Sequence, residues 1–153
     1  MLKKIFTIVA TIFLMVGYGG EFPNNLDRTD SLTGIDKNKN GIRDDIEDYI
    51  NKNYSDEGHR KAMMQYAKTS LAVLLVDISD KIAVKQADIR RSRASHCIFL
   101  KFDAKRGDEN PNIAWKKIRS MTTNTKARLK AYLDFDKSLA GMAFALPEED
   151  TCE

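Results

Sequence analysis

The sequence predicts an all-α protein, a bundle of four or five helices preceded by an extended lead-in. Three observations carry this. Apolar residues recur at three and four through most of the chain beyond residue 44, the spacing that lines one face of a helix. Cap residues and acidic first turns punctuate those stretches. No alternating strand pattern, internal repeat or low-complexity tract competes with them. At 153 residues and 42% hydrophobic content, the chain is sized for one domain with a sizeable core.

At the amino terminus, Lys3 and Lys4 precede an apolar run from Ile5 to Val16 and the small-residue stretch Gly17-Tyr18-Gly19-Gly20. This layout predicts a secretory signal peptide over 1–19, cut before Gly20. The run is about a dozen residues, short of the roughly 20 that a spanning helix needs, so a permanent transmembrane anchor is not expected. A lipoprotein signal would need a cysteine where Tyr18 stands. Export to the periplasm or the exterior follows, with membrane association if the signal stays attached.

Residues 20–35 hold Pro23, Asn24, Asn25, Ser31 and Gly34, have neither helical nor alternating period, and read as the extended lead-in, mobile at its start and anchored to the core by Ile35. The helical domain, 36–153, begins with Asp36-Lys37-Asn38-Lys39-Asn40-Gly41-Ile42-Arg43-Asp44-Asp45-Ile46-Glu47. Oxygen-bearing side chains fall at loop positions one, three, five, nine and twelve (Asp36, Asn38, Asn40, Asp44, Glu47), Gly41 sits at the sharp turn of position six, and Ile42 supplies only its backbone carbonyl. Such spacing wraps one hard cation, so Ca2+ is the expected metal. An Asn-Gly turn before an acidic helix start would use many of the same residues.

The loop resembles those of EF-hand-like, dockerin and thrombospondin type 3 calcium repeats, over about a dozen residues. The resemblance implies the ligand set Asp36, Asn38, Asn40, Ile42, Asp44 and Glu47. Two asparagines among them leave three carboxylates, which places the expected affinity near 0.1 to 1 mM, toward the weak extracellular end. No helical pattern precedes the loop, and Arg43 holds position eight, where paired loops place an aliphatic residue; both point to a solitary site.

From Asp44 a first helix carries Ile46, Tyr49, Ile50 and Asn53 on one side and stops near Tyr54. Ser55 is a candidate cap for a second, whose apolar series runs from Ala62, Met63, Tyr66 and Ala67 through Leu71, Leu74 and Leu75 to Ile78. Asp80 opens a third, through Ala94, Cys97 and Ile98 toward Phe102, interrupted by Arg90, Arg91 and Arg93. Asn110-Pro111 starts a fourth, with Ala114, Trp115, Ile118 and Met121 inward. Thr125 is positioned to cap a last one, with Leu129, Tyr132, Leu133, Leu139 and Ala140 inward and Gly141 and Pro147 at its end.

The two cysteines, Cys97 and Cys152, form an even pair in a chain expected to leave the cytosol, so a disulfide is predicted that ties down the tail. Removing the signal takes two lysines from the net charge of +3, leaving about +1, so global charge selects no partner. Its distribution is uneven. Residues 111–133 hold Lys116, Lys117, Arg119, Lys126, Arg128 and Lys130 without an acid, which reads first as a solvated basic face. If that face or Arg90-Arg91-Ser92-Arg93 has a partner, export favours an anionic envelope component or an acidic protein over nucleic acid.

His59 and His96 lie on different expected helices without zinc-ligand spacing, and there is no phosphate loop or nucleophile elbow. The expected function is therefore an exported module with a structural calcium loop that meets an envelope component or a protein partner. The alternative is an exported hydrolase with an unmarked pocket and His59 or His96 as general base.

Overall fold

The computed structural model describes residues 23–143, 145 and 151–153; the expected signal peptide lies outside the described residues. Five α-helices follow one another: α1 (Asp44–Asn53), α2 (Glu57–Ala72), α3 (Lys81–Lys101), α4 (Pro111–Thr122) and α5 (Lys126–Ser138). A short 3-10 turn, Ala104–Arg106, lies between α3 and α4. Among the described residues there is no strand, and no helix is long and apolar enough to cross a membrane.

Local chemistry explains the boundaries. Asp80 accepts from the backbone N–H of Ile82 and Ala83, and Asn110 from that of Asn112 ahead of Pro111. Thr125 accepts from Arg128 N–H. Each satisfies donors that a helix start leaves without intrahelical partners. The cap of α2 is Asp56 rather than Ser55, its carboxylate accepting from His59 N–H.

The central helix is α2, which packs against α3 along its length and against α4 and α1. Ile50, Met63, Ile98, Ile118 and Met121 meet in the main core. A second cluster, Leu71, Val73, Leu74, Val84 and Phe135, closes the end where α5 lies. Helix α2 ends six residues earlier than the apolar spacing implies: beyond Ala72 the chain turns, burying Val73 and Leu74 while Leu75 and Ile78 stay exposed. On α5, Phe135 and Arg128 take the inward positions expected of Leu129 and Leu133, which are exposed, as is Ala140.

The Cys97–Cys152 disulfide joins the tail to α3, with Cα atoms 5.0 Å apart. Thr151 is buried beside it, its carbonyl accepting from Gln65 Nε2 at 2.8 Å and its hydroxyl 3.2 Å from His96 Nδ1. The chain end is thus held by one covalent bond and by polar contacts to both α2 and α3.

Candidate metal centre

The loop turns left-handed twice, at Lys39 (φ 57°) and Gly41 (φ 83°). A residue with a Cβ is strained in this region, which is why glycine suits position six. Both Asp36 oxygens are held by backbone donors: Oδ1 accepts from Asn40 N–H at 3.2 Å and Oδ2 from Gly41 N–H at 2.9 Å. Asn38 Oδ1 and Asn40 Oδ1 accept from the backbone N–H of Asn40 and Ile42. Their amide nitrogens turn the other way, each donating at 3.0 Å to a different Glu47 oxygen. Glu47, from the first turn of α1, thereby closes the loop.

Four of the six expected ligands, Asp36, Asn38, Asn40 and Glu47, are thus linked in one hydrogen-bonded ring, and Ile42 sits beside them with its side chain buried. Asp44 stands apart. Its Oδ1 accepts from Lys37 N–H at 3.0 Å, and Lys37 Nζ lies 3.8 Å from Oδ2. Among the described residues no group of three or more His, Cys, Asp or Glu side chains converges as a metal cluster; this loop instead combines carboxylates with amides and a carbonyl. The residues nonetheless fit a hard cation. Both Glu47 oxygens face inward, and a half-turn about χ2 would bring the two asparagine carbonyl oxygens in beside them. That change keeps the shape of each side chain and gives up the bonds that Asn38 Oδ1 and Asn40 Oδ1 accept from the Asn40 and Ile42 N–H groups, an exchange that the cation's attraction for the amide oxygens has to offset.

Beside the loop lies a polar cluster that the sequence did not disclose. Arg43 is buried, and its guanidinium takes both Asp45 oxygens at 2.6 and 2.8 Å, the Met121 carbonyl at 3.1 Å and Asn124 Oδ1 at 3.1 Å. Arg128, with its side chain 0% exposed, donates to the carbonyls of Asp27 and Ser31, to Asn124 Oδ1 and to Asp27 Oδ1. Asp45 Oδ2 in turn accepts from Asp27 N–H at 2.7 Å. Burial pushes the Asp27 carboxyl up, but hydrogen bonds from the Thr29 hydroxyl and N–H, Ile35 N–H and Arg128 outweigh it and hold the group well below the usual carboxylate range.

The lead-in is therefore fastened through Asp27, whereas Ile35, its expected anchor, is 51% exposed and contributes its carbonyl to Asp44 N–H. Gly34 (φ 66°) lets the chain pass against Arg43, whose side-chain carbons a Cβ there would strike. Nor do the basic residues of 111–133 form one solvated face. Arg128 is interior, Lys117 pairs with Glu109, Lys130 with Asp134, and Arg119 lies over Trp115.

The histidines are separated. The His59 ring stacks on Phe102 at 4.1 Å, and its Nε2 lies 3.1 Å from the Lys101 carbonyl and 3.3 Å from Asp108 Oδ2. A neighbouring cleft of about 390 Å³ is bordered by Tyr54, His59, Asp108 and Glu109. His96 sits against the docked tail.

No protein-family model matches the chain, and no curated protein or solved structure matches it either. The functional reading therefore stands on the chain's own residues.

Proposed function

We propose that Asp36–Glu47 holds one calcium ion and that the protein is an exported helical module in which this calcium is structural. The observation that carries the reading is the closure of the loop on Glu47, with Asp36, Asn38 and Asn40 drawn into one ring around it. In the metal-bound loop, Asp36 and Glu47 would supply charge, the two asparagines their amide oxygens, Ile42 its carbonyl, and Asp44 a direct or water-bridged contact. The cation's contribution is charge neutralisation and a fixed loop. Export is supported by the arrangement of the first 19 residues and by the disulfide, a bond that persists in oxidising compartments. A partner protein or an anionic envelope component is the occupant such a module would meet.

Calorimetric titration of the chain with calcium tests this. A single-site isotherm that vanishes in the Asp36→Ala, Glu47→Ala double variant is expected. A silent titration of the unaltered protein would remove the site.

A hydrolase using His59 as base draws less support. Nε2 lies 3.1 Å from the Lys101 carbonyl and 3.3 Å from Asp108 Oδ2, and Nδ1 lies 3.9 Å from Asp56 Oδ1, so both ring nitrogens face groups of the protein itself.

A further inference from the structure

The arginines of α3 and α4 that the sequence shows as separate basic runs are brought together at one cleft. It has a volume of about 270 Å³ and lies between α3, α4 and Tyr132 of α5. Arg91 Nη2 is held by Asp88 Oδ1 at 2.5 Å, and its Nη1 lies 3.3 Å from the Tyr132 hydroxyl, so its charge is already balanced.

Arg119 differs. Its guanidinium carbon lies 4.5 Å from the centre of the Trp115 ring and 6.0 Å from that of Tyr132, contacts that fix a cation in place without using its N–H groups. No hydrogen bond or ion pair engages that guanidinium among the described residues. The Ser92 hydroxyl and the Asn112 side-chain amide line the same cleft and are likewise without partners among the described residues. Phe99, 43% exposed, supplies an apolar wall.

We infer that this cleft binds a small carboxylate carried on a ring or other apolar body, the carboxylate on the Arg119 fork and the body against Phe99. One uncompensated guanidinium matches one negative charge, and a planar fork with a hydroxyl and an amide beside it matches two carboxylate oxygens. The half-buried setting strengthens that pairing relative to open water. The inference is independent of the calcium reading.

Trp115 is the sole tryptophan, so its indole N–H gives one resonance directly under the site. The full chain is titrated at constant ionic strength with acetate, phenylacetate, inorganic phosphate and glucose while that resonance is followed. Phenylacetate should give a saturable shift, binding about tenfold tighter than acetate because its ring leaves water; glucose should give none. Arg119→Gln should weaken phenylacetate at least about tenfold, as expected for a charged hydrogen-bonded partner. Asn112→Ala, on the exposed rim, should weaken it about threefold without touching the core, and Lys130→Gln should change nothing. The assignment is overturned by the absence of any saturable shift, by undiminished binding in both Arg119→Gln and Asn112→Ala, or by phosphate binding tighter than phenylacetate.

Discussion

The loop Asp36–Glu47 and the arginine cluster lie side by side, share the stretch Arg43 to Asp45, and solve the same problem in opposite ways. Both fasten the extended lead-in to the helices. In the cluster, Asp27 and Asp45 meet two buried guanidiniums, and backbone carbonyls and Asn124 Oδ1 take the remaining donors. In the loop, the Asn38 and Asn40 amides donate to the two Glu47 oxygens, and Asn38 remains exposed. A buried charge whose partner is removed is costly, whereas a solvated carboxylate can turn to water. The cluster should therefore be a condition of the fold, and the loop an addition to it whose contribution, on the proposed reading, depends on how much calcium is present.

The largest expected effect comes from breaking the cluster. Arg128→Met takes the cation from the partly buried Asp27 carboxylate and the donors from the Asp27 and Ser31 carbonyls, and should cost about 3–5 kcal/mol, read from the midpoint of urea unfolding. Gly34→Ala should approach the same loss, because the new Cβ displaces Arg43 and the backbone keeps a left-handed φ. A loss below about 1 kcal/mol in both variants would show that the lead-in is held elsewhere.

Reduction of Cys97–Cys152 should come next, removing roughly 4 kcal/mol at most on the chain-entropy model. The tail would be loosened rather than freed, because the Gln65 and His96 contacts to Thr151 would survive in part. At roughly 3 °C per kcal/mol for a domain of this size, the melting temperature should fall by about 6–12 °C. A smaller fall than chelation produces would reverse the proposed order.

Acid should separate the two regions further. The Asp27 carboxyl is depressed in the folded state, so its stabilisation is complete above its unfolded value of roughly 4 and is lost as pH falls through the folded value. Stability should accordingly decline below about pH 4, and an Asp27→Asn variant, though weaker at neutral pH, should show a flatter decline. Equal acid slopes in the two proteins would exclude Asp27 as the group responsible.

These comparisons also show what the sequence discloses and what it hides. Caps are local chemistry, so Asp80, Asn110-Pro111 and Thr125 were legible, as was the pairing of two cysteines. The end of α2 was not, because Leu74, Leu75 and Ile78 continue the helical period past the turn that breaks it. Arg128 was hidden for a different reason. Arginine is rarely interior unless paired, and its partners lie about a hundred residues away at Asp27 and Ser31. The loop's spacing placed four of its six expected ligands together, while the diversion of Asp44 toward Lys37 depends on a backbone contact that spacing does not reveal.

Calcium should have the smallest effect on global stability, about 1.4 kcal/mol at ten times the dissociation constant if only the native loop binds it. Its local effect should be clear. The most direct test is amide hydrogen exchange with calcium and with chelator, compared residue by residue. Calcium should slow exchange across residues 35–50 and leave 62–72, the interior of α2, unchanged. Exchange that is identical in the two conditions would contradict a calcium site in the loop, and slowing that extends through α2 to a similar degree would contradict its peripheral place in the fold.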